Sequence, residues 1–158
     1  MKKILVVLLV SLFAMNMSAQ ESVETSPTLS KYVCVGLSIA NTQGASFDTT
    51  SYPSLEFGVC KDNVSLGLAV GRGNLRGLGK STDAISNYYG ELRLVPSFDL
   101  GMVNGSVILG VGSYYAYNTI FVEYGVGLSK TYGDLTFGVS YSNCEGVDYI
   151  TPSISIGL

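Results

Sequence analysis

The chain has 158 residues, room for one domain rather than two. Nine basic residues, two of them Lys2 and Lys3, face twelve acidic ones, and no basic patch dominates, which argues against nucleic acid as a partner. Mean hydropathy is positive and only 13% of residues are charged, about half the usual share for a soluble domain, yet no apolar block beyond the N-terminal segment could form a spanning helix.

Lys2 and Lys3 open the chain as a positive n-region. Residues 4–15 are uncharged and apolar except for Ser11, and Met17-Ser18-Ala19 sets a small residue before Gln20. This is the pattern of a secretory signal peptide, and the run is short for a membrane span. Residues 1–19 are therefore read as a cleaved signal peptide. Residues 20–30 are mostly polar and contain Pro27, so they read as a flexible periplasmic leader. Residues 31–158 form the folded part.

From Lys31 onward the chain alternates with period two, which marks strands. Segment 31–40 sets Val33, Val35, Leu37 and Ile39 against Cys34, Gly36, Ser38 and Ala40. Segment 53–60 sets Leu55, Phe57 and Val59 against Glu56, Gly58 and Cys60. Segment 63–72 sets Val64, Leu66, Leu68 and Val70 against Ser65, Gly67, Ala69 and Gly71. In 86–98, Tyr88, Leu92 and Leu94 oppose Tyr89, Glu91 and Arg93, and Pro96 predicts a bulge or an early end. In 105–116 the apolar set is Val107, Leu109 and Val111, with Ile108 intruding on the small side. Segments 119–130, 134–142 and 148–158 repeat the pattern, the last as Ile150, Ile154, Ile156 and Leu158 against Thr151, Ser153, Ser155 and Gly157.

The connections alternate too. Lys61-Asp62, Asn104-Gly105 and Gly133-Asp134 carry hairpin-turn chemistry, whereas 41–52 and 73–85 are longer. Short turns on one side and long loops on the other are the asymmetry of outer-membrane barrels. The expected architecture is all-β: a closed, antiparallel, up-and-down transmembrane barrel of eight strands.

The second face decides between this and a soluble ligand-binding barrel, whose apolar residues would point inward. That face is mostly Gly, Ser and Ala rather than a solvated surface. Small residues suit a narrow eight-stranded interior, and bulky aliphatic ones suit lipid. Glu56, Glu91, Arg93 and Glu123 all fall on the small face, which keeps them from the costly bilayer side.

These four are the candidate luminal polar cluster. The favoured reading is a structural ion-pair network that plugs the lumen, with Tyr89 and Tyr114 as hydrogen-bond partners. The alternative is a proton or ion pathway, or a catalytic carboxylate pair. Buried charges must be paired or neutralised, and three carboxylates to one guanidinium predict at least one that is protonated or solvated by water. The chain has no histidine, which removes Ser–His and His–Asp mechanisms, and three cysteines alone make no plausible zinc site. No enzyme, cofactor or metal is expected.

Cys34 and Cys60 are a candidate cross-strand disulfide in a register that pairs 34 with 60 and 38 with 56; two buried thiols are the other reading. Cys144 is placed in a last outer loop, 142–149, as a free thiol. The glycine pairs Gly71/Gly73, Gly110/Gly112 and Gly125/Gly127 keep strand parity and read as luminal packing. Arg72, Arg76 and Lys80 are a candidate contact for lipopolysaccharide phosphates, weighed against an ordinary solvated loop. Tyr52, Tyr88, Tyr115, Tyr117, Tyr141 and Tyr149 at one end, with Tyr32 and Tyr132 at the other, read as interfacial girdles.

The Lys-Lys signal peptide ending Ser-Ala-Gln, the eight alternating strands and the final Ser-Ile-Ser-Ile-Gly-Leu together resemble small outer-membrane barrels of the OmpA/OmpX type, and the Ser-Ala-Gln junction resembles exported proteins of Bacteroidota. The resemblance implies residence in the outer membrane of a Gram-negative bacterium. Its partners would be outer-membrane lipid and lipopolysaccharide, with the barrel-assembly machinery reading the last strand during insertion. Leu158 stands where that class usually ends in an aromatic. The expected role is a monomeric, non-enzymatic envelope component whose outer loops serve adhesion or recognition. The alternative is a narrow pore for small solutes or ions through a Glu/Arg-lined lumen.

Overall fold

The computed structural model describes residues 29–41, 50–75, 85–115 and 119–158. The expected signal peptide, residues 20–28 of the leader, and Arg76, Lys80 and Tyr117 lie outside the described residues. Eight strands follow one another: β1 (Ser30–Asn41), β2 (Thr50–Lys61), β3 (Val64–Leu75), β4 (Ile85–Asp99), β5 (Asn104–Tyr114), β6 (Thr119–Tyr132), β7 (Leu135–Cys144) and β8 (Val147–Gly157). Each pairs antiparallel with the next, and β8 pairs back onto β1, so the sheet closes into an up-and-down barrel. We call the end where β1 starts proximal and the other end distal.

Alternation sorts the side chains as hydrocarbon requires. Val35, Leu68, Leu92, Val126, Phe137 and Ile154 all point outward and are about half exposed. Their inward neighbours are small or polar: Gly36, Gly67, Ala69, Gly110, Ser140 and Ser153. A belt of this extent exceeds the apolar patches that soluble monomers expose, and it is stable against lipid rather than water. Closure also leaves no unpaired strand edge, which hydrocarbon would not tolerate. An outward aliphatic belt is the reverse of the arrangement expected of a soluble ligand-binding barrel.

The proximal turns are tight. Asp62-Asn63 joins β2 to β3 with Asp62 at φ 54, and Gly133-Asp134 joins β6 to β7 with Gly133 at φ 60. The first turn thus lies one residue later than the expected Lys61-Asp62, because Lys61 still pairs with Val64. The third proximal turn is not Asn104-Gly105. Both residues belong to β5, Asn104 pairing with Asp99, and the chain reverses over residues 100–103. Gly101 takes φ 89 there and donates its N–H to Asp99 Oδ1 at 2.6 Å, while Leu100 N donates to Val103 O.

Pro96 neither bulges nor ends β4. It pairs with Val64 on one side, and the β4–β5 register is the same before and after it. Ser97 donates its N–H to Asn63 O on the β3 side at 2.7 Å, so the missing N–H of Pro96 faces β5. There the ladder skips positions 95 and 96 and then resumes. The strand gives up one bond and keeps its course.

The region 142–149 is not a loop. Cys144 closes β7 opposite Val147, and the two-residue turn Glu145-Gly146 has both residues at positive φ, the twist that suits a hairpin. Asn143 Oδ1 accepts the Gly146 N–H at 3.2 Å and its amide donates to Asp148 Oδ1 at 2.7 Å, which ties the turn down.

Candidate functional site

The lumen is organised around Arg93. Strand period places Glu91 and Arg93 of β4 on the same inner face, two residues apart. Register then sets Glu91 beside Ala69, which pairs with Glu56 of β2, and sets Arg93 beside Gly110, which pairs with Glu123 of β6. The four predicted charges therefore meet inside the barrel. Arg93 Nε lies 2.8 Å from Glu123 Oε2 and 3.1 Å from Glu91 Oε2, and Nη1 lies 3.2 Å from Glu56 Oε2. Tyr32 donates its hydroxyl to the other Glu56 oxygen at 2.5 Å. One guanidinium thus ties three strands together across the lumen.

Glycine makes the room. A Cβ at Gly110 would overlap Glu91 Oε1, and one at Gly67 would overlap Glu56 Oε1. Glu91 is 2% exposed, and its Oε1 has no hydrogen-bond partner among the described residues. Beside it lies a cavity of about 20 Å³ lined by Ser38, Tyr89, Glu91, Tyr114, Cys144 and Tyr149. That is room for about one water molecule.

Distal to the charges the lumen is filled by apolar side chains. Ala40, Tyr52, Tyr114, Phe121, Cys144, Val147 and Tyr149 form one buried cluster, with Tyr89 against it. Phe121 packs tilted against Tyr114, with 4.7 Å between ring centroids, and meets Tyr89 edge-on at 5.8 Å. Tyr114 and Cys144 meet at 3.8 Å through hydroxyl and thiol. Tyr89 and Tyr114 take part in an aromatic layer beside the network, and Tyr32 hydrogen-bonds to it through Glu56.

Tyr32, Tyr52 and Tyr149 do not belong to interfacial girdles. Tyr52 and Tyr149 are buried in the distal layer, and Tyr32 lies across Gly58 inside the barrel. The signal was in the sequence: Tyr32 shares parity with Cys34, Tyr52 with Glu56, and Tyr149 with Thr151. Tyr88, Tyr115, Tyr132 and Tyr141 do face outward and are half exposed or more. Phe121, which the sequence reading did not single out, shares parity with Glu123 and could have been found the same way.

The cysteines are free. Cys34 pairs with Glu56 and Cys60 with Ser30, so the two cysteines stand four residues out of the expected register. At about 3.3 Å per residue that is roughly 13 Å along the strands, beyond the ~7 Å reach of a disulfide. Cys144 is buried under Tyr114, which shields it from a second molecule. Arg72 is the described member of the expected loop contact. Its guanidinium lies over the Tyr88 ring at 5.3 Å from the centroid. Among the described residues no group of acidic, Cys or His side chains is arranged to hold a metal.

No protein-family model and no curated protein matches the chain. Among solved structures it is similar to Neisserial surface protein A, with 10% identity over 82% of this chain and 96% of that one and a TM-score of 0.46. It is also similar to Ail, the attachment invasion locus protein of Yersinia pestis, with 16% identity over 84% of this chain and 98% of that one and a TM-score of 0.47. The barrel itself rests on the strand pairing, not on these likenesses.

Proposed function

We propose that this protein is an integral outer-membrane barrel with a closed lumen, a non-enzymatic envelope component whose distal segments serve adhesion or recognition. The observation that carries this reading is the blocked interior. The Arg93 network spans the lumen, the aromatic layer fills it distally, and the cavity beside Glu91 has room for about one water molecule. A path for solutes would have to part both layers. The strand ends Asn41, Thr50, Leu75 and Ile85 gather at the distal end, which suits display better than passage. The apolar belt supports a membrane location, and the residue 1–19 pattern supports export. Lipopolysaccharide would be the lipid partner at the distal rim, where Arg72 rests on Tyr88, and the chain acts as a monomer.

Two measurements test this reading. Planar-bilayer recording is expected to show no steady conductance, and regular single-channel steps would replace the closed barrel with the narrow pore. Fractionation is expected to place the protein with outer membranes, and its band should shift on gels between unboiled and boiled samples. Recovery in the aqueous periplasm would overturn the membrane reading.

A further inference from the structure

The outer face carries a feature that the lumen does not explain. At the proximal end, pairing sets Lys31 beside Val59, Val59 beside Leu66, and Lys61 beside Val64. Leu29, Val59, Val64 and Leu66 wall an open groove of about 350 Å³, and Lys61 and Asp62 stand at its rim. That volume falls in the range of small-molecule sites. The groove runs into the apolar belt through Leu66 and Leu68. Lys61 and Asp62 are exposed, and neither is ion-paired to another described residue.

The chemistry specifies an occupant. It needs an apolar chain for the groove, an anion for Lys61 and, close to that anion, a cation for Asp62. A phospholipid with a primary-amine headgroup carries these three groups in that order. We infer that the groove binds one such lipid: its phosphate on the Lys61 ammonium, its own ammonium on the Asp62 carboxylate, and an acyl chain along Val59, Val64 and Leu66. Lys31, one strand over, adds to the phosphate side. A phosphoglycerol headgroup meets Lys61 but offers Asp62 no cation. A phosphocholine headgroup has a cation without an N–H to donate. This inference rests on the membrane reading above.

Native mass spectrometry of the detergent-purified protein tests it, with equimolar phosphatidylethanolamine, phosphatidylcholine and phosphatidylglycerol of identical acyl chains. Phosphatidylethanolamine is expected to be retained about two- to five-fold over the others, the scale of one exposed ion pair. Asp62→Asn should abolish its preference over phosphatidylcholine. Asn tolerates the positive φ at this turn, so the fold is kept. Lys61→Gln should lower retention of all three lipids, since each carries the phosphate. Equal retention of all three lipids, or a preference that survives Asp62→Asn, would overturn the site; a groove filled by the chain's own upstream residues or by a second copy would give that result. A barrel that shifts on unboiled gels yet shows no headgroup preference sinks only this site. A protein that does not partition into membranes at all sinks the reading beneath it.

Discussion

The two halves of the lumen obey one alternation and reach opposite outcomes. Distally, the inward positions carry Tyr52, Tyr114, Phe121 and Tyr149, each less than 9% exposed. Proximally, they carry Cys60, Ser65, Ser106, Ser129, Ser140 and Ser155, all half-buried. The strand order and register are the same through both. Side-chain volume at inward positions, rather than the sheet, therefore decides where an eight-stranded barrel is closed. The Arg93 network sits at the border, with Glu91 and Glu123 more deeply buried than Glu56.

The sharpest way to break this contrast is to remove the border. Arg93→Met leaves three carboxylates facing one another in a narrow interior. We predict a loss of about 3–5 kcal/mol, the usual cost of stripping one partner from a buried ion cluster. Urea unfolding in vesicles, read by unboiled gel mobility, measures it. An unchanged midpoint would mean that the cluster does not hold the barrel together. Phe121→Ala opens the distal layer instead and should cost about 3–5 kcal/mol in the same assay. A small effect there would mean that the rings pack loosely and the distal half resembles the proximal one.

Gly110→Ala is a finer probe. Its Cβ would press on the Glu91 carboxylate and the Glu123 side chain, for an expected cost of about 1–3 kcal/mol. Gly90→Ala, where a Cβ meets nothing within 4 Å, should stay within about 0.5 kcal/mol. Equal effects at the two glycines would contradict the packing around Arg93. At the proximal end, Ser140→Ala is expected to be nearly neutral, within about 0.5 kcal/mol. The cysteines give the mildest test. Maleimide should label Cys60 in the folded barrel well before the buried Cys144, and intact mass without reductant should show three free thiols. Prompt labelling of Cys144 would show that the distal half admits reagent.

Alternation along the chain was enough to find the strands and to divide inside from outside. It placed Glu56, Glu91, Arg93 and Glu123 on one face, because parity is a local property of each strand. It also held the clue to Tyr32, Tyr52 and Tyr149, which position near strand ends obscured. Turn chemistry was less reliable. Asn104-Gly105 has the composition of a hairpin turn but lies inside β5, because Asp99 and Asn104 pair first and the flexible Gly101 makes the reversal.

What the sequence by itself determined is thus eight two-faced strands, apolar on one side and small or charged on the other. Only the tertiary structure decided the register, and with it the chemistry of the lumen. A slip of one residue would turn every side chain to the wrong face, but a slip of four leaves each face intact. Period-two reading therefore could not separate Cys34 opposite Cys60 from Cys34 opposite Glu56. That choice depends on contacts between distant segments, closing through β1 and β8. It set the cysteines apart and brought three carboxylates to one arginine.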